Sequence, residues 1–269
     1  MRIDPNWWKD LFDEFYLRTD ARSVDDERLT YREVDFLEEV FSFSKSEPIL
    51  DLCGGQGRHA LELSRRGFCQ VVLLDYSETL VRIGKRKAAA EKLGTVFIRA
   101  DARAAAFSSQ TFRVVMILGS SFGYFIDETE NRKMLQEAAR ILKPGGVLLM
   151  DLPDREYVLK HFKPVIRHRI DASLEVVRSR EIADDIIYSR EIVTSRTQGR
   201  IREHTYCTHL YSPRKISRLL ADAGFERIGT RKGFMCRQSE GDFGTMTRRI
   251  VVTARKPGDY SARTFYSQA

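Results

Sequence analysis

The chain has 269 residues, 42% of them hydrophobic, with four cysteines and a formal net charge of +7. That length suits one α/β domain with an insertion, or two small domains, and the apolar share supports a full core. No apolar run of about 18 residues is present, which argues against a membrane span, and Cys53, Cys69, Cys207 and Cys236 form no CxxC pair, which argues against a zinc site and leaves free thiols as the expectation.

The N-terminus, MRIDPNWWKDLFDEFYLR, is acidic and aromatic and lacks the basic-then-apolar build of a signal peptide, so the cytoplasm is the expected compartment. Residues 1–47 read as helical. Trp8, Leu11, Phe12 and Phe15 fall at helical spacing, and so do Tyr31, Val34, Leu37, Val40 and Phe41.

From Pro48 the chain alternates strand and helix. Strand one is Ile49–Cys53, and a helix over 57–66 stops at Gly67. Strand two is Gln70–Asp75, whose continuous VVLL suits a buried parallel strand. Ser77 caps a helix running to Leu93, with Gly94 behind it. Thr95–Ile98 and Phe112–Leu118 are strands three and four. Asp127 and Glu130 have capping-box spacing before a helix to Leu142, and Val147–Leu152 is strand five. Such alternation predicts a parallel sheet with helices on both faces.

Residues 153–211 break the rhythm. IRHRIDASLEVV, DDIIYSREIVTS and IREHTYCTHLY are rich in β-branched and aromatic residues, with turns at 183–185 and TQGR. Three antiparallel strands are expected, as an insertion rather than a continuation. A helix over 212–223, capped by Ser212 with Pro213 in its first turn, and two final strands complete the chain. The positive charge gathers here: residues 212–269 carry 12 Lys+Arg against 5 Asp+Glu. No basic block marks a nucleic-acid arm.

The stretch ILDLCGGQGRHALEL asks which ligand its glycines approach. A phosphate-cradling P-loop needs a GK[ST] ending, which GGQGRH lacks. A dinucleotide site needs G-x-G-x-x-G, and no third glycine follows at that spacing. A third reading needs an acid before the glycines, and Asp51 supplies it.

At these residues the sequence resembles the class I S-adenosylmethionine-dependent methyltransferases. DLCGGQG fits the family's first motif, with Cys53 where glycine is commoner. Asp75 stands at the end of strand two, Asp101–Ala102 after strand three, and LKPGG before strand five. The resemblance implies an α/β, doubly wound, mostly parallel seven-stranded Rossmann-like sheet over 48–152 and 212–257. It implies an N-terminal helical flap over 1–47 and an antiparallel β lid over 153–211. S-adenosyl-L-methionine is then the cofactor. Asp75 would accept both ribose hydroxyls, Asp101 and the Ala102 N–H would meet adenine, and the turn of Asp51, Cys53, Gly54, Gly55 and Gly57 would hold the methionine part. Tyr16, or Arg58 beside the loop, would take its carboxylate. Tyr76, Leu118 and Gly119 complete the expected binding set. No His, Cys and carboxylate cluster suggests a metal.

After strand four comes LGSSFGYF, without the Asn/Asp-Pro-Pro-Tyr/Phe stretch of amine-methylating enzymes that act on bases. It looks like the loop of small-molecule methyltransferases, with Phe122, Tyr124 and Phe125 as candidate pocket walls. The lid resembles that of the N,N-dimethyltransferases of antibiotic sugars, where it roofs the site and helps dimerise. Alternation sets His204 and Tyr206 on one face and His209 and Tyr211 on the other, so His204, Tyr206, His209 and Tyr124 are the candidate catalytic residues, with an imidazole as proton acceptor. The expected activity is methyl transfer to N or O of a small molecule. The alternatives are an RNA or protein methyltransferase using the basic C-terminal stretch, and a binding module without turnover. Nucleic acid and membrane are disfavoured as partners, and a homodimer through the lid is one expectation.

Overall fold

The computed structural model describes residues 1–40, 44–234 and 246–258. The N-terminal segment is not two regular helices. It runs through a 3-10 turn at Trp7–Lys9, then α1 (Glu14–Thr19), α2 (Ala21–Val24) and α3 (Glu27–Val40). The continuous helix expected over Trp8–Phe15 is broken because both adjacent indoles are buried, in different places. Trp7 packs on Phe12, Tyr124 and Tyr206, and Trp8 on Tyr76 and Phe125. The Asp13 carboxylate restarts the helix by accepting from the Tyr16 amide. On α3 the buried face is Leu29, Thr30, Glu33, Val34 and Leu37, whereas Tyr31 is 43% exposed, contrary to the periodicity. Phe41 lies outside the described residues.

The alternating region follows as β1 (Ile49–Leu52), α4 (Arg58–Arg65), β2 (Val71–Asp75), α5 (Glu78–Ala90), β3 (Val96–Arg99), β4 (Phe112–Ile117), α6 (Glu128–Ile141) and β5 (Leu142–Pro153). After α7 (Arg155–Lys160) come β6 (Val165–Arg169), β7 (Leu174–Ala183), β8 (Ile186–Ser195) and β9 (Gly199–His209). The chain then returns through α8 (Pro213–Asp222), β10 (Glu226–Phe234) and β11 (Arg249–Arg255).

The central sheet has seven strands in the order β10-β11-β5-β4-β1-β2-β3. β1 to β5 pair in parallel, and β11 runs antiparallel to both neighbours. Period-two alternation divides the core between its faces. Leu50, Leu52, Val115 and Ile117 pack with Leu135 and Ala138 of α6 and Leu219 of α8, while Ile49, Leu73, Val114 and Met116 pack with Leu37 of α3, Leu63 of α4 and Val81 of α5. This doubly wound arrangement is the expected fold.

Caps set the helix starts. Ser77 accepts from Leu80, Asp127 from Thr129 and Ser212 from Lys215. The capping box at α6 is not closed: Glu130 turns its carboxylate to Arg103 and Lys133.

Residues 165–209 form a separate four-stranded antiparallel sheet, β6-β7-β8-β9. The expectation of three strands missed one. IRHRIDASLEVV is two strands, because the Asp171 carboxylate gathers the Ser173 and Leu174 amides into a turn. α7 was also unforeseen. The β7–β8 hairpin turns at Asp184 and Asp185, both left-handed with φ 52° and 62°, as a primed two-residue turn requires. Among the described residues no helix is long and apolar enough to cross a membrane.

Candidate active site

At the carboxyl end of β1 the chain must turn sharply into α4. Cys53 takes φ 62° and Gly57 φ 84° to do so. The Cys53 amide donates to Leu74 O at 2.8 Å and the Gly55 amide to Asp75 Oδ2 at 2.8 Å, so the turn is stitched to β2. Gly54 passes directly over Asp51. A Cβ there would sit 2.7 Å from Asp51 Cγ and Oδ2, so only glycine fits. Asp51 is fully buried, and its two oxygens form no full hydrogen bond among the described residues. Burial pushes its pKa up, opposed by His59, Arg58 and the Ala60 amide.

The half-buried Asp75 ends β2 and presents its carboxylate at the same place. Oδ1 accepts from the Ser77 amide at 2.8 Å, as Oδ2 does from Gly55. Burial still raises its pKa to about 6, with Asp51 adding repulsion against those amides.

These groups line a cavity of about 1150 Å³ including its mouth. Its walls are the 53–56 turn, Asp75 and Tyr76, Asp101 and Ala102, the stretch after β4, and the N-terminal residues Trp8, Phe12, Tyr16 and Asp20. The Phe12 carbonyl accepts from Ser77 Oγ at 2.5 Å, which ties the N-terminal segment across the opening. Arg58, at the first turn of α4, also lines it. Its Nη1 pairs with Glu33 and donates to Thr30 Oγ1 at 3.1 Å, while its Nη2 is buried without a partner. Tyr16 is held well above the ordinary phenol range by burial and then by Asp20, so it stays a neutral donor. Asp101 is gripped by Arg103, with Nε at 3.0 Å from Oδ1 and Nη2 at 2.6 Å from Oδ2. Although burial opposes it, Arg103 holds the Asp101 carboxyl below its usual range. The Arg103 guanidinium lies over the rings of Trp8 and Phe125, 5.0 and 4.5 Å from their centroids.

A second cavity of about 600 Å³ adjoins the first and shares Phe12, Tyr16, Asp20, Gly119 and Tyr124 with it. Its far wall comes from the four-stranded sheet, through Glu191, Tyr206 and Thr208.

Behind both cavities runs a buried ionic chain. Arg249 of β11 is 1% exposed and pairs with Glu33 of α3 and Asp151 of β5. Glu33 also meets Arg58 and, at 2.8 Å, His59 Nε2. The other Asp151 oxygen accepts from the Ser120 amide at 2.7 Å and so holds the loop after β4.

The comparisons agree with this geometry. The family model described as a methyltransferase domain matches residues 49–146, which hold the glycine turn, Asp75, Asp101 and LKPGG. Residues 49–146 thus match a methyltransferase domain. A ubiquinone/menaquinone biosynthesis C-methyltransferase, UbiE, of Pasteurella multocida is 34% identical over 128 residues, 45% of this chain and 42% of that protein. The chain thus aligns with less than half the length of this curated relative. A S-adenosylmethionine-dependent methyltransferase from Clostridium acetobutylicum superposes with TM-score 0.72 at 16% identity, covering 91% of this chain and 97% of that one. CalS10, an amino pentose methyltransferase from Micromonospora echinaspora, superposes with TM-score 0.63 at 17% identity, covering 91% and 98%. At these identities the likeness is one of fold.

Cys53, Gly54, Gly55, Arg58, Asp75, Tyr76, Asp101, Ala102, Leu118 and Gly119 meet on one cavity wall, together with Tyr16 from the N-terminal segment. Asp51 lies beneath the turn rather than on the wall, and Gly57 caps α4. The expected imidazole base is not there. Neither His204 nor His209 lines either cavity. His204 is depressed by burial and then by Arg202, and His209 stacks on Tyr211 with its Nε2 buried and unpartnered. Of the expected aromatic walls, Tyr124 and Phe125 line the first cavity, whereas Phe122 is fully buried against Tyr211. Tyr206 lines only the second cavity. Sequence reading missed Trp8, Phe12, Asp20, Ser120 and Glu33. For Glu33 a signal existed: an acid one helical turn from Leu29 and Leu37 sits where an apolar residue belongs. Among the described residues no group of three metal-ligating side chains occurs.

Proposed function

We propose that this chain moves a methyl group from S-adenosylmethionine to nitrogen or oxygen of a small-molecule acceptor. The supporting observation is the meeting, in one cavity, of the glycine turn, Asp75 and Arg58, whose Nη2 is buried without a partner. A buried guanidinium nitrogen without a partner fits a ligand carboxylate, and a carboxylate at a strand end fits vicinal hydroxyls. A phosphate ligand would face Asp75 and Asp101 instead, which repel it.

On this reading Asp75 holds the ribose and Asp101 with the Ala102 amide faces the adenine edge. The turn at Gly54 and Gly55 receives the amino-acid end, with the negative charge of Asp51 beneath its ammonium. Arg58 Nη2 and the Tyr16 hydroxyl take its carboxylate. When bound, S-adenosylmethionine supplies a methyl group on a sulfonium, already a good leaving group. The residues of this chain therefore mainly align the acceptor and exclude water. Phe12 and Tyr124, stacked at 24° and shared by both cavities, stand where the two ligands would meet. Residues 1–47 act as a flap and 153–211 as a lid, over a methyltransferase domain of 48–152 and 212–257 in the cytoplasm. CalS10 is named as an amino pentose methyltransferase and UbiE as a C-methyltransferase of ubiquinone/menaquinone biosynthesis, and this supports an acceptor of small-molecule size. A homodimer through the lid belongs to the same reading, and sedimentation velocity tests it.

Titration calorimetry is the direct test. S-adenosylhomocysteine is expected to bind and NAD is not. Tight NAD binding with none for S-adenosylhomocysteine would overturn the reading.

A further inference from the structure

We propose that the second cavity is the acceptor subsite and that it selects an aliphatic amine, with Ser120 and Asp20 as its polar contacts. This rests on the methyl-transfer reading above.

Ser120 is the independent pointer. It lines the second cavity and not the first. It is 4% exposed, and its Oγ has no hydrogen-bond partner. A buried hydroxyl left unpaired costs free energy unless a ligand completes it. It is also held in the left-handed region at φ 58°, directly after Gly119 at φ 73°, while its amide is fixed on Asp151. Strain of that kind persists only where the surroundings over-determine it.

The charge on the cavity wall decides the class of acceptor. Asp20 and Glu191 line it, and both are paired with arginines from behind. Arg178 donates to Asp20 Oδ2 and to Glu191 Oε2, each at 2.7 Å, and Arg202 donates to Glu191 Oε1 at 3.1 Å. Neither arginine lines the cavity. The remaining polar groups are neutral: burial pushes Tyr206 to about 12 and holds Tyr16 and Tyr124 well above the phenol range. The wall is thus carboxylate and π-face, with no cation and no imidazole among its described residues.

In the transfer, the acceptor's lone pair forms the new bond to the methyl carbon, and the C–S electron pair stays on sulfur, which becomes neutral. The aliphatic amine arrives as an ammonium and gives one proton to solvent to free its lone pair; as the N–C bond forms, the positive charge moves from sulfur to nitrogen, towards Asp20 and Glu191, and a second proton then leaves to solvent. The carboxylates then favour the transition state over the ground state. A phenolate, thiolate or enolate would enter as an anion and find no cation on this wall, because Arg178 and Arg202 are turned to the carboxylates behind it.

The test uses the full chain with S-adenosylhomocysteine bound. Calorimetry measures cyclohexylamine and tryptamine against phenol and thiophenol, and mass spectrometry reads the gain of one CH₂ with S-adenosylmethionine present. Amines are expected to bind and be methylated. Ser120→Gly should weaken amine binding about fivefold, the effect of one hydrogen bond, with S-adenosylhomocysteine affinity unchanged within twofold. Asp20→Asn should weaken amine binding more than phenol binding. Transfer to phenol or thiophenol and to neither amine, or no transfer to either amine, overturns the amine assignment while cofactor binding leaves the methyl-transfer reading standing. Amine transfer indifferent to both variants removes Ser120 and Asp20 from the site. Failure of S-adenosylhomocysteine to bind the parent chain defeats the underlying reading itself.

Discussion

The Asp75 carboxyl titrates near pH 6 because burial outweighs two amide hydrogen bonds. In the proposed ribose-binding role only its ionised form would be a full acceptor for both hydroxyls. As pH falls through 6 the group gains its proton, so affinity for S-adenosylhomocysteine should weaken, by up to about tenfold per pH unit below that point. Binding near pH 6 should release a proton. Calorimetry across roughly pH 5 to 8 checks both, and a flat dissociation constant over that range counts against the role. Asp75→Ala should cost about 2–4 kcal/mol of affinity, from two charge-assisted bonds. The same raised pKa works against folding: the unbound protein loses stability at this residue as pH rises from the ordinary carboxylate range through 6. Cys53 illustrates a tolerated departure at this scale. A non-glycine residue at φ 62° is strained, yet its side chain is small, and burial with three nearby aspartates keeps the thiol protonated.

Elements distant in the chain are held together by the Arg249 fork. It joins β11 to α3 through Glu33 and to β5 through Asp151, with all three side chains buried. Arg249→Met would leave two carboxylates buried and unpaired, which should destabilise by about 3–5 kcal/mol. For a chain of this size that is a fall of about 10 °C in Tm. Arg249→Lys should recover little, since an ammonium cannot bridge both carboxylates in the planar fork geometry. Despite burial, Arg58, Arg249 and His59 hold Glu33 well below the usual carboxylate range. Its stabilising contribution is therefore complete above that range and is lost as pH falls through the depressed folded value. Thermal melts should show Glu33→Gln with a lower Tm near neutrality and a flatter acid limb. An Arg249→Met melt equal to the parent's would contradict the fork's role.

For the whole molecule, the excess positive charge of the C-terminal stretch matters less than its count suggests. Arg249 is consumed by the fork, and Arg248 lies over Tyr157 near Asp154. Lys256 Nζ donates to Leu142 O at 2.7 Å and Arg255 Nη1 to Gly145 O at 3.3 Å. Charges bound to the sheet's own edge do not make a phosphate track. Methyl transfer should change less than about twofold between roughly 50 and 200 mM salt, whereas an RNA substrate would make it fall steeply. Methyl transfer to bulk RNA that collapses over that range would favour the nucleic-acid alternative.

The sequence by itself determined the parallel strand–helix alternation, the caps at Ser77, Asp127 and Ser212, and the turn in which Asp51 precedes its glycines. Each depends on chemistry within a few residues: a period of two or 3.6, a side-chain oxygen near a free amide, a backbone that must turn left-handed. Tertiary structure alone decided the path of the N-terminal segment, where two adjacent tryptophans seek different pockets. It also decided the pairing of Glu33 with Arg249, 216 positions away. Alternation along β9 told which side chains share a face, yet not which of them reach a cavity, and so the histidines were misplaced. The second cavity is walled by the N-terminal segment, the loop after β4 and the second sheet, which meet only once the chain has closed. No local pattern encodes that meeting, because it is set by long-range packing and by which buried charges find partners.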